Sequence, residues 1–414
     1  MSLTRSDFEL MAPVGSWESL AAARQSGADA VYFGIEGLNM RSRSSANFTL
    51  DDLREIAGTC QADGIKTYLT VNTIIYDEDI AYMRRIIDAA RQAGITAVIA
   101  TDMATISYAR SQGVEVHIST QVNVSNSEAV RHYAQWADVM VLARELNLSQ
   151  VRHIADTIEA DRICGPAGEP VRLEMFCHGA LCMAVSGKCY LSLHQANTSA
   201  NRGACRQICR HGYIATDAES GEQLAIDNQY IMSPKDLKTI HFLNKMVDAG
   251  VRVFKIEGRA RGPEYVATVV SCYDRALRAI ADGTYSEALV EELDRRLAEV
   301  FNRGFWDGYY LGQRLGEWSS KYGSSSTHVK EYAAKGVRYY PRLGVGEFLV
   351  EAGEVRVGDR VIVIGPVTGA RELTITELRL DRDPVERAVK GQHFAIKTDF
   401  KVLPSDRLYI WREK

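Results

Sequence analysis

From residue 8 to about 282, short runs of β-branched and other apolar residues alternate with stretches whose apolar positions recur every three or four residues. The first kind reads as buried strands, the second as amphipathic helices. The pattern predicts strands near 8–12, 30–33, 66–71, 97–101, 114–119, 138–143, 172–176 and 252–256. Between them lie helical segments such as "SWESLAAARQSG", "EDIAYMRRIIDAARQAG" and "NLSQVRHIADTIEA". Several helical segments end in glycine, the residue that most easily takes the left-handed turn closing a helix. "GADAVYFG" and "GITAVIATD" repeat one plan, a glycine leading into a buried strand. Eight β-α units in one run predict an α/β fold, a closed (β/α)8 TIM-like barrel. The alternative is a doubly wound open sheet, and no GxGxxG follows the first strand to support it.

Most units span roughly 20 to 35 residues, but about 75 separate the seventh and eighth strands. That gap predicts an insertion over 177–251 inside a barrel domain of residues 1–315. In such barrels the loops leaving the strand C-termini build the active site, so the insertion belongs to that face. "GEWSSKYGSSSTHVK" (316–330) is Gly/Ser-rich and reads as a flexible linker. From 331 to 414 the pattern changes to short alternating strands with turns, which predicts a small antiparallel β-barrel. It offers no cluster of catalytic residue types and reads as a binding or positioning module.

With 49 basic and 53 acidic residues the net charge is −4, so no broad basic surface is implied. Contact with nucleic acid would have to be local. The N-terminus has no apolar signal region, and no stretch approaches the roughly 20 apolar residues of a membrane span. A cytoplasmic protein without membrane association is expected.

The strand ends carry polar residues that would line the barrel mouth: Asn72, Asp102, Ser119 with Gln121 and Asn123, Arg144 with Glu145, and Glu174 with His178. A carboxylate near an imidazole can do acid–base work, which makes Glu174, His178, Arg144 and Glu145 candidate catalytic residues. Asn72, Gln121 and Asn123 are candidates for substrate binding. After the eighth strand, "KIEGRARGPEYV" adds Lys255, Glu257, Arg259 and Arg261 and then opens a helix at Pro263. Basic side chains beside a helix N-terminus suit an anion such as a phosphate or carboxylate; a solvated basic loop is the plainer alternative.

Of eight cysteines, five fall between Cys177 and Cys209. Cys60 and Cys272 sit in amphipathic helical patterns and read as core. Six residues separate Cys182 from Cys189, fifteen separate Cys189 from Cys205, and three separate Cys205 from Cys209. In a reducing compartment clustered thiols point to metal binding or redox chemistry rather than disulfides. Four thiolates suit an iron–sulfur cluster or a tetrahedral zinc, although zinc ligands are usually paired more closely. A thiol nucleophile, Cys177 or Cys182 with His178 as base, is a third option.

"EMFCHGALCMAVSGKCYLS" carries Glu174, Phe176, Gly179, Ala180, Leu181, Cys182, Gly187, Cys189, Leu191 and Ser192. In these positions it resembles the signature of the collagenase-like peptidases of unknown catalytic type, peptidase family U32. "MAPVGSWESLAAARQSGADAVYFG", "STQVNVSN", "RELNLSQV", "MSPKDL" and "FKIEGRARGPEYV" extend the likeness over residues 8 to about 310. The peptidase label finds no HExxH, GxSxG or Ser-His-Asp pattern here. Members of the family are also oxygen-independent hydroxylation proteins, acting on the wobble uridine of tRNA, on a cytidine of ribosomal RNA, or on ubiquinone precursors.

The resemblance implies a 4Fe–4S cluster on Cys182, Cys189, Cys205 and Cys209, the last in the position typical of the tRNA branch. A barrel followed by one small β-domain is similar to that branch. It implies formation of 5-hydroxyuridine in tRNA, with prephenate as a possible small carboxylate co-substrate and an electron donor that the sequence leaves open. Arg206, together with Arg202 and Arg210, would then join Lys255, Arg259 and Arg261 in contacting RNA.

Overall fold

The computed structural model describes residues 3–43, 47–214, 216–223, 230–313 and 315–414. Its first ten strands are β1 (Glu9–Pro13), β2 (Ala30–Phe33), β3 (Lys66–Val71), β4 (Ala97–Ala100), β5 (Glu115–Ile118), β6 (Val139–Val141), β7 (Arg172–Gly179), β8 (Asp236–Lys238), β9 (Val251–Ile256) and β10 (Phe305–Trp306). Strands β1 to β7 pair in parallel and in order. β9 then lies between β7 and β1, with Met11 opposite Lys255 and Glu174 opposite Val253. That closes an eight-stranded parallel barrel and rules out the open sheet. β8 runs antiparallel to β7, placing Lys238 opposite His178, and β10 adds to β8.

Helices cover the outside, for reasons visible in their spacing. In Ile80–Ala93 the buried residues are Met83, Ile86, Ile87 and Ala90, one face of a helix. Gly94 ends it at φ +77°, a left-handed position that a side chain would strain. Ser16, Asp102, Asn126, Asn147 and Ser286 cap other helices by accepting from backbone N–H groups of the first turn. No helix among the described residues is long and apolar enough to cross a membrane.

Side chains alternate in and out along each strand, so alternate strands fill the interior in layers. Next to an apolar layer with Ala30, Ala97, Val139 and Val253 lie two layers of unusual polarity. One is Glu9, Lys66, Glu115 and Arg172 at the N-terminal end; the other is Met11, Tyr68, His117 and Glu174. Glu9 is 3% exposed. It accepts from Lys66 at 2.8 Å, Arg172 at 3.0 Å and Tyr68 at 2.7 Å. Burying that carboxylate would be costly without these partners. Burial opposes its ionisation, but Arg172 and Lys66 hold it ionised, at about 2.

The insertion leaves the C-terminal end of β7. It folds as a short helix (Leu191–Ala196), two 3-10 turns (Ala200–Arg202 and Ile208–Arg210), β8 and the helix Leu243–Asp248. Residues 215 and 224–229 of the expected 177–251 segment lie outside the described residues.

The Gly/Ser-rich run after residue 316, expected to be a flexible linker, lies along the barrel instead. Ser319 N donates to Ser233 O at 2.7 Å, Ser325 N to Asn302 O at 2.7 Å, and Thr327 N to Ala298 O at 2.9 Å. Its small residues let the backbone approach close enough to bond. His328–Tyr340 then opens an eight-stranded antiparallel sheet built round its own core, with Phe348 stacked on Phe394. Ile362, Ile364 and Trp411 of this domain join the core of the barrel. Gly369 seats the contact, because a Cβ there would lie 2.9 Å from Ala22 N.

Candidate functional site

A cavity of about 390 Å³ opens at the C-terminal end of the barrel. Its floor comes from strand ends: Tyr32 and Thr70 from β2 and β3, Asn72 just beyond, Phe176 from β7 and Lys255 from β9. Its wall is the insertion, from Ala180 to Cys189 and on to Arg210. Cys182, Cys189, Cys205 and Cys209 all line it.

Among the described residues, the lining cations are Arg41, Arg144, Arg210, Lys255, Arg259, Arg261 and Arg303, and the one lining carboxylate is Glu257. Arg41 donates to Glu257 at 3.0 Å, and Tyr32 OH donates to Glu257 at 3.1 Å. Burial opposes the charge of Glu257, but Arg41, Arg144 and Arg259 hold its carboxyl down at about 2. Glu257 is thus a fixed anion, too weakly basic to take protons near neutral pH.

Arg259 is 6% exposed and donates to Asn39 Oδ1 at 3.0 Å and Thr70 Oγ1 at 2.9 Å. Burial pulls it down to about 10. The chain can run this close only because residue 15 is glycine: a Cβ there would sit 2.0 Å from Arg259 O. Arg144 lies 3.7 Å over the Phe176 ring and donates to Ala180 O at 2.9 Å, anchoring the start of the cysteine loop. Arg210 donates to Pro234 O at 2.6 Å and Leu181 O at 2.5 Å, anchoring its far side.

Among the expected site residues, the structure brings Asn72, Gln121, Arg144, Lys255, Glu257, Arg259, Arg261 and the four cysteines to one cavity. Glu174 lies beneath it, fully buried, and reaches it through Lys255, whose Nζ donates to Glu174 Oε1 at 2.7 Å. Besides Glu174, four candidates do not line it. Glu145 is exposed on the turn after β6. Asn123 takes a left-handed turn at φ 60° and spends its amide on Gln121 O and Ser186 O. Arg206 is exposed outside the cavity, on the loop that carries Cys205.

His178 is the main correction. Alternation would turn it inward with Glu174 and Phe176, but the β7–β9 register slips between Phe176 and His178. The ring therefore faces outward, among Tyr265, Tyr273 and Phe305, with Nδ1 3.3 Å from Tyr273 OH. Burial, then Lys238 and Arg261, push its pKa down to about 3. It stays neutral and away from the cavity, so it serves neither as acid–base group nor as partner to Cys177 or Cys182. Cys177 is likewise buried, its thiol 3.4 Å from Lys255 O.

The helix N-terminus at Pro263, expected to help hold an anion, already has Glu264 in its first turn, paired with Lys330 at 2.8 Å. The anion-binding capacity lies in the cavity's side chains instead. Sequence reasoning missed Tyr32, Arg41 and Arg303. Arg41 had a signal, the basic run after the second strand; Arg303 is brought in from beyond the last barrel helix and had none. Arg202 pairs with Asp79 and stacks on Tyr76, away from the cavity.

The four thiols fit a thiolate-held metal group by their chemistry, being soft donors on one wall beside cations that would offset their charge. They also feel one another. Burial pushes the Cys209 thiol up, Arg210 pulls it down, and Cys182, Cys205 and Cys189 add to the upward push. As placed, no three His, Cys, Asp or Glu side chains among the described residues are grouped closely enough to hold a metal ion.

Fold and site together define a (β/α)8-barrel protein with a cationic, thiol-lined cavity at its C-terminal face. The chain belongs to peptidase family U32, whose family model matches residues 15–320. It is 64% identical over 403 residues to a protein of Porphyromonas gingivalis named collagenase, covering 97% of each chain. It is 33% identical to a tRNA hydroxylation protein of Bacillus subtilis, over 76% of this chain and 74% of that one. It is also 33% identical to a 23S rRNA 5-hydroxycytidine synthase of Escherichia coli, over 77% of this chain and 47% of the other.

Proposed function

We propose that this protein hydroxylates a pyrimidine of RNA without molecular oxygen, the wobble uridine of tRNA, giving 5-hydroxyuridine. The observation that carries this reading is one cavity in which four thiols meet a surplus of cations. The relatives named for tRNA and rRNA hydroxylation support the substrate class. Cys182, Cys189, Cys205 and Cys209 would hold a 4Fe–4S cluster, which when bound supplies one-electron redox chemistry. Zinc is the alternative occupant of the same thiols.

The chain's own residues do the rest. Lys255, Arg259 and Arg261 offer charge and N–H donors to a phosphate or to a small carboxylate co-substrate such as prephenate. Asn72 and Gln121 present amides at the cavity wall, able to match the edge of a base. Tyr32, Phe176 and the Arg144 guanidinium provide flat faces for stacking.

Nucleoside mass spectrometry of tRNA and ribosomal RNA from a strain lacking the gene tests the proposal. Loss of 5-hydroxyuridine-type nucleosides, restored by the wild-type gene but not by Cys189→Ala, is expected. Unchanged nucleosides in a strain with no oxygen-dependent hydroxylase sink it.

A second reading, hydrolysis of protein, is favoured by the name of the 64% identical relative. Against it, no histidine lines the cavity among the described residues, and Glu257 is held too acidic to act as a base. Release of peptides from gelatin by purified protein, abolished by Glu174→Gln, would establish that reading.

A further inference from the structure

The barrel interior holds an ionisable trio, Lys255, Glu174 and His117, of which the reading above uses Lys255 alone. Glu174 is fully buried and its Oε1 accepts from Lys255. Among the described residues its Oε2 has no hydrogen-bond partner, and Nδ1 of His117, also without one, stands 4.0 Å away. On its other side His117 places Nε2 3.1 Å from Glu115 Oε1, and the Glu115 side chain is 40% exposed at the N-terminal end of the barrel. Buried polar atoms are rarely left unpartnered. A carboxylate oxygen this close to a ring nitrogen favours the charged imidazolium.

Lys255 lines the cavity, so a proton leaving its Nζ would strand Glu174 as an unpaired buried carboxylate, which is strongly unfavourable. We propose that Lys255 is a proton donor to the cavity's ligand, and that His117 is the positioning residue that permits it by taking up a compensating proton. The step balances. An Nζ–H bond breaks and its proton passes to a basic oxygen or nitrogen of the ligand. His117 gains a proton at a ring nitrogen, drawn from solvent by way of Glu115. Glu174 stays ionised throughout, paired with an ammonium before and an imidazolium after. This exchange is the same whichever reaction the cavity carries.

Few other titratable groups face the trio. Tyr68 of β3 lies 4.5 Å from the imidazole, and Tyr32 of β2 lies under Lys255 at 4.7 Å. Glu9 of β1 is tied to Lys66, Arg172 and Tyr68, and at the cavity end Glu257 and Arg259 face Tyr32. Toward the barrel axis β4 and β6 offer apolar Ala97, Ile99 and Val139.

NMR of protein carrying 15N-histidine, titrated with pH, tests the proposal, with His117 identified by His117→Gln. Lys255→Met mimics the donor after proton loss. It is expected to raise the proton affinity of His117 by about tenfold, one pH unit, or more. Lys255→Arg keeps the charge and is expected to leave the His117 midpoint in place. An unmoved midpoint in Lys255→Met, or an equal shift in Lys255→Arg, overturns the proposal. Should Lys255→Met fail to fold, Glu115→Gln at the exposed end decides. There the affinity is expected to fall by about threefold or more, and an unmoved midpoint again overturns it.

Discussion

Arg41, in the loop after β2, donates to Glu257 at the end of β9 across 3.0 Å, tying two sides of the barrel mouth together beside the cysteine loops. The carboxyl of Glu257 is held at about 2 against a usual 4.5. A depressed carboxyl adds stability above its unfolded value, and that stability is lost as pH falls from 4.5 towards 2. Glu257→Gln is expected to cost about 3 kcal/mol at pH 7, because it leaves cations without their counter-charge. It should also flatten the acid limb of a stability-against-pH curve from urea melts. An acid limb unchanged by the substitution would refute the assignment.

His178 supports the fold rather than the chemistry. Its folded value of about 3 lies below the usual 6.5, so the unfolded chain binds its proton more readily. Its stability contribution is complete above 6.5 and declines as pH falls from there towards 3. His178→Phe should remove that part of the pH dependence and spare function measured on the folded fraction. A folded His178→Phe protein with no function would return the residue to the active site.

The cysteine assignment predicts colour and metal. Protein purified without oxygen should absorb in the visible and carry about four irons per chain. Ala at Cys182, Cys189, Cys205 or Cys209 should lose them, while Cys60→Ala and Cys272→Ala, at buried helix positions, should not. Iron analysis and absorption spectra on the same samples decide. Iron retained in Cys209→Ala would mean that another group completes the set.

Arg206 and Arg259 should separate cleanly in RNA binding. Arg206 is exposed beside the cavity wall, so Arg206→Ala should flatten the slope of log K against log salt by about 0.7 for tRNA. Arg259 is bonded to Asn39 and Thr70 inside the protein, so Arg259→Ala should first lower the melting temperature. Binding titrations at several salt concentrations, with melts alongside, check both. An Arg206→Ala slope equal to wild type would remove that loop from the RNA path.

Docking of the C-terminal domain depends on Gly369, which sits at φ +71° with Ala22 N 2.9 Å from where a Cβ would go. Gly369→Val combines a strained left-handed backbone with a clash. It should loosen the domain from the helix Trp17–Gln25, seen as a larger radius of gyration in solution scattering. A scattering profile identical to wild type would show that the contact does not hold the domain.

The sequence by itself determined the barrel. Strands buried on both faces need unbroken apolar runs, and the helices over them need an apolar stripe, so both periods are written locally. The expected 30–33 and 66–71 are β2 and β3 to the residue, and 172–176 is the first part of β7. Clustering of Cys182 to Cys209 after the seventh strand was equally legible, because a barrel's loops fix which face they serve. What each polar side chain faces was decided only by the tertiary structure. A one-residue slip between β7 and β9 turns His178 out, no local pattern records such a slip, and with it went a plausible acid–base pair. The polar layers of Glu9, Lys66, Arg172, His117 and Glu174 were invisible for the same reason. Apart from Glu115, which stands beside His117 on β5, their partners come from other strands tens of residues away, joined only when the barrel closes.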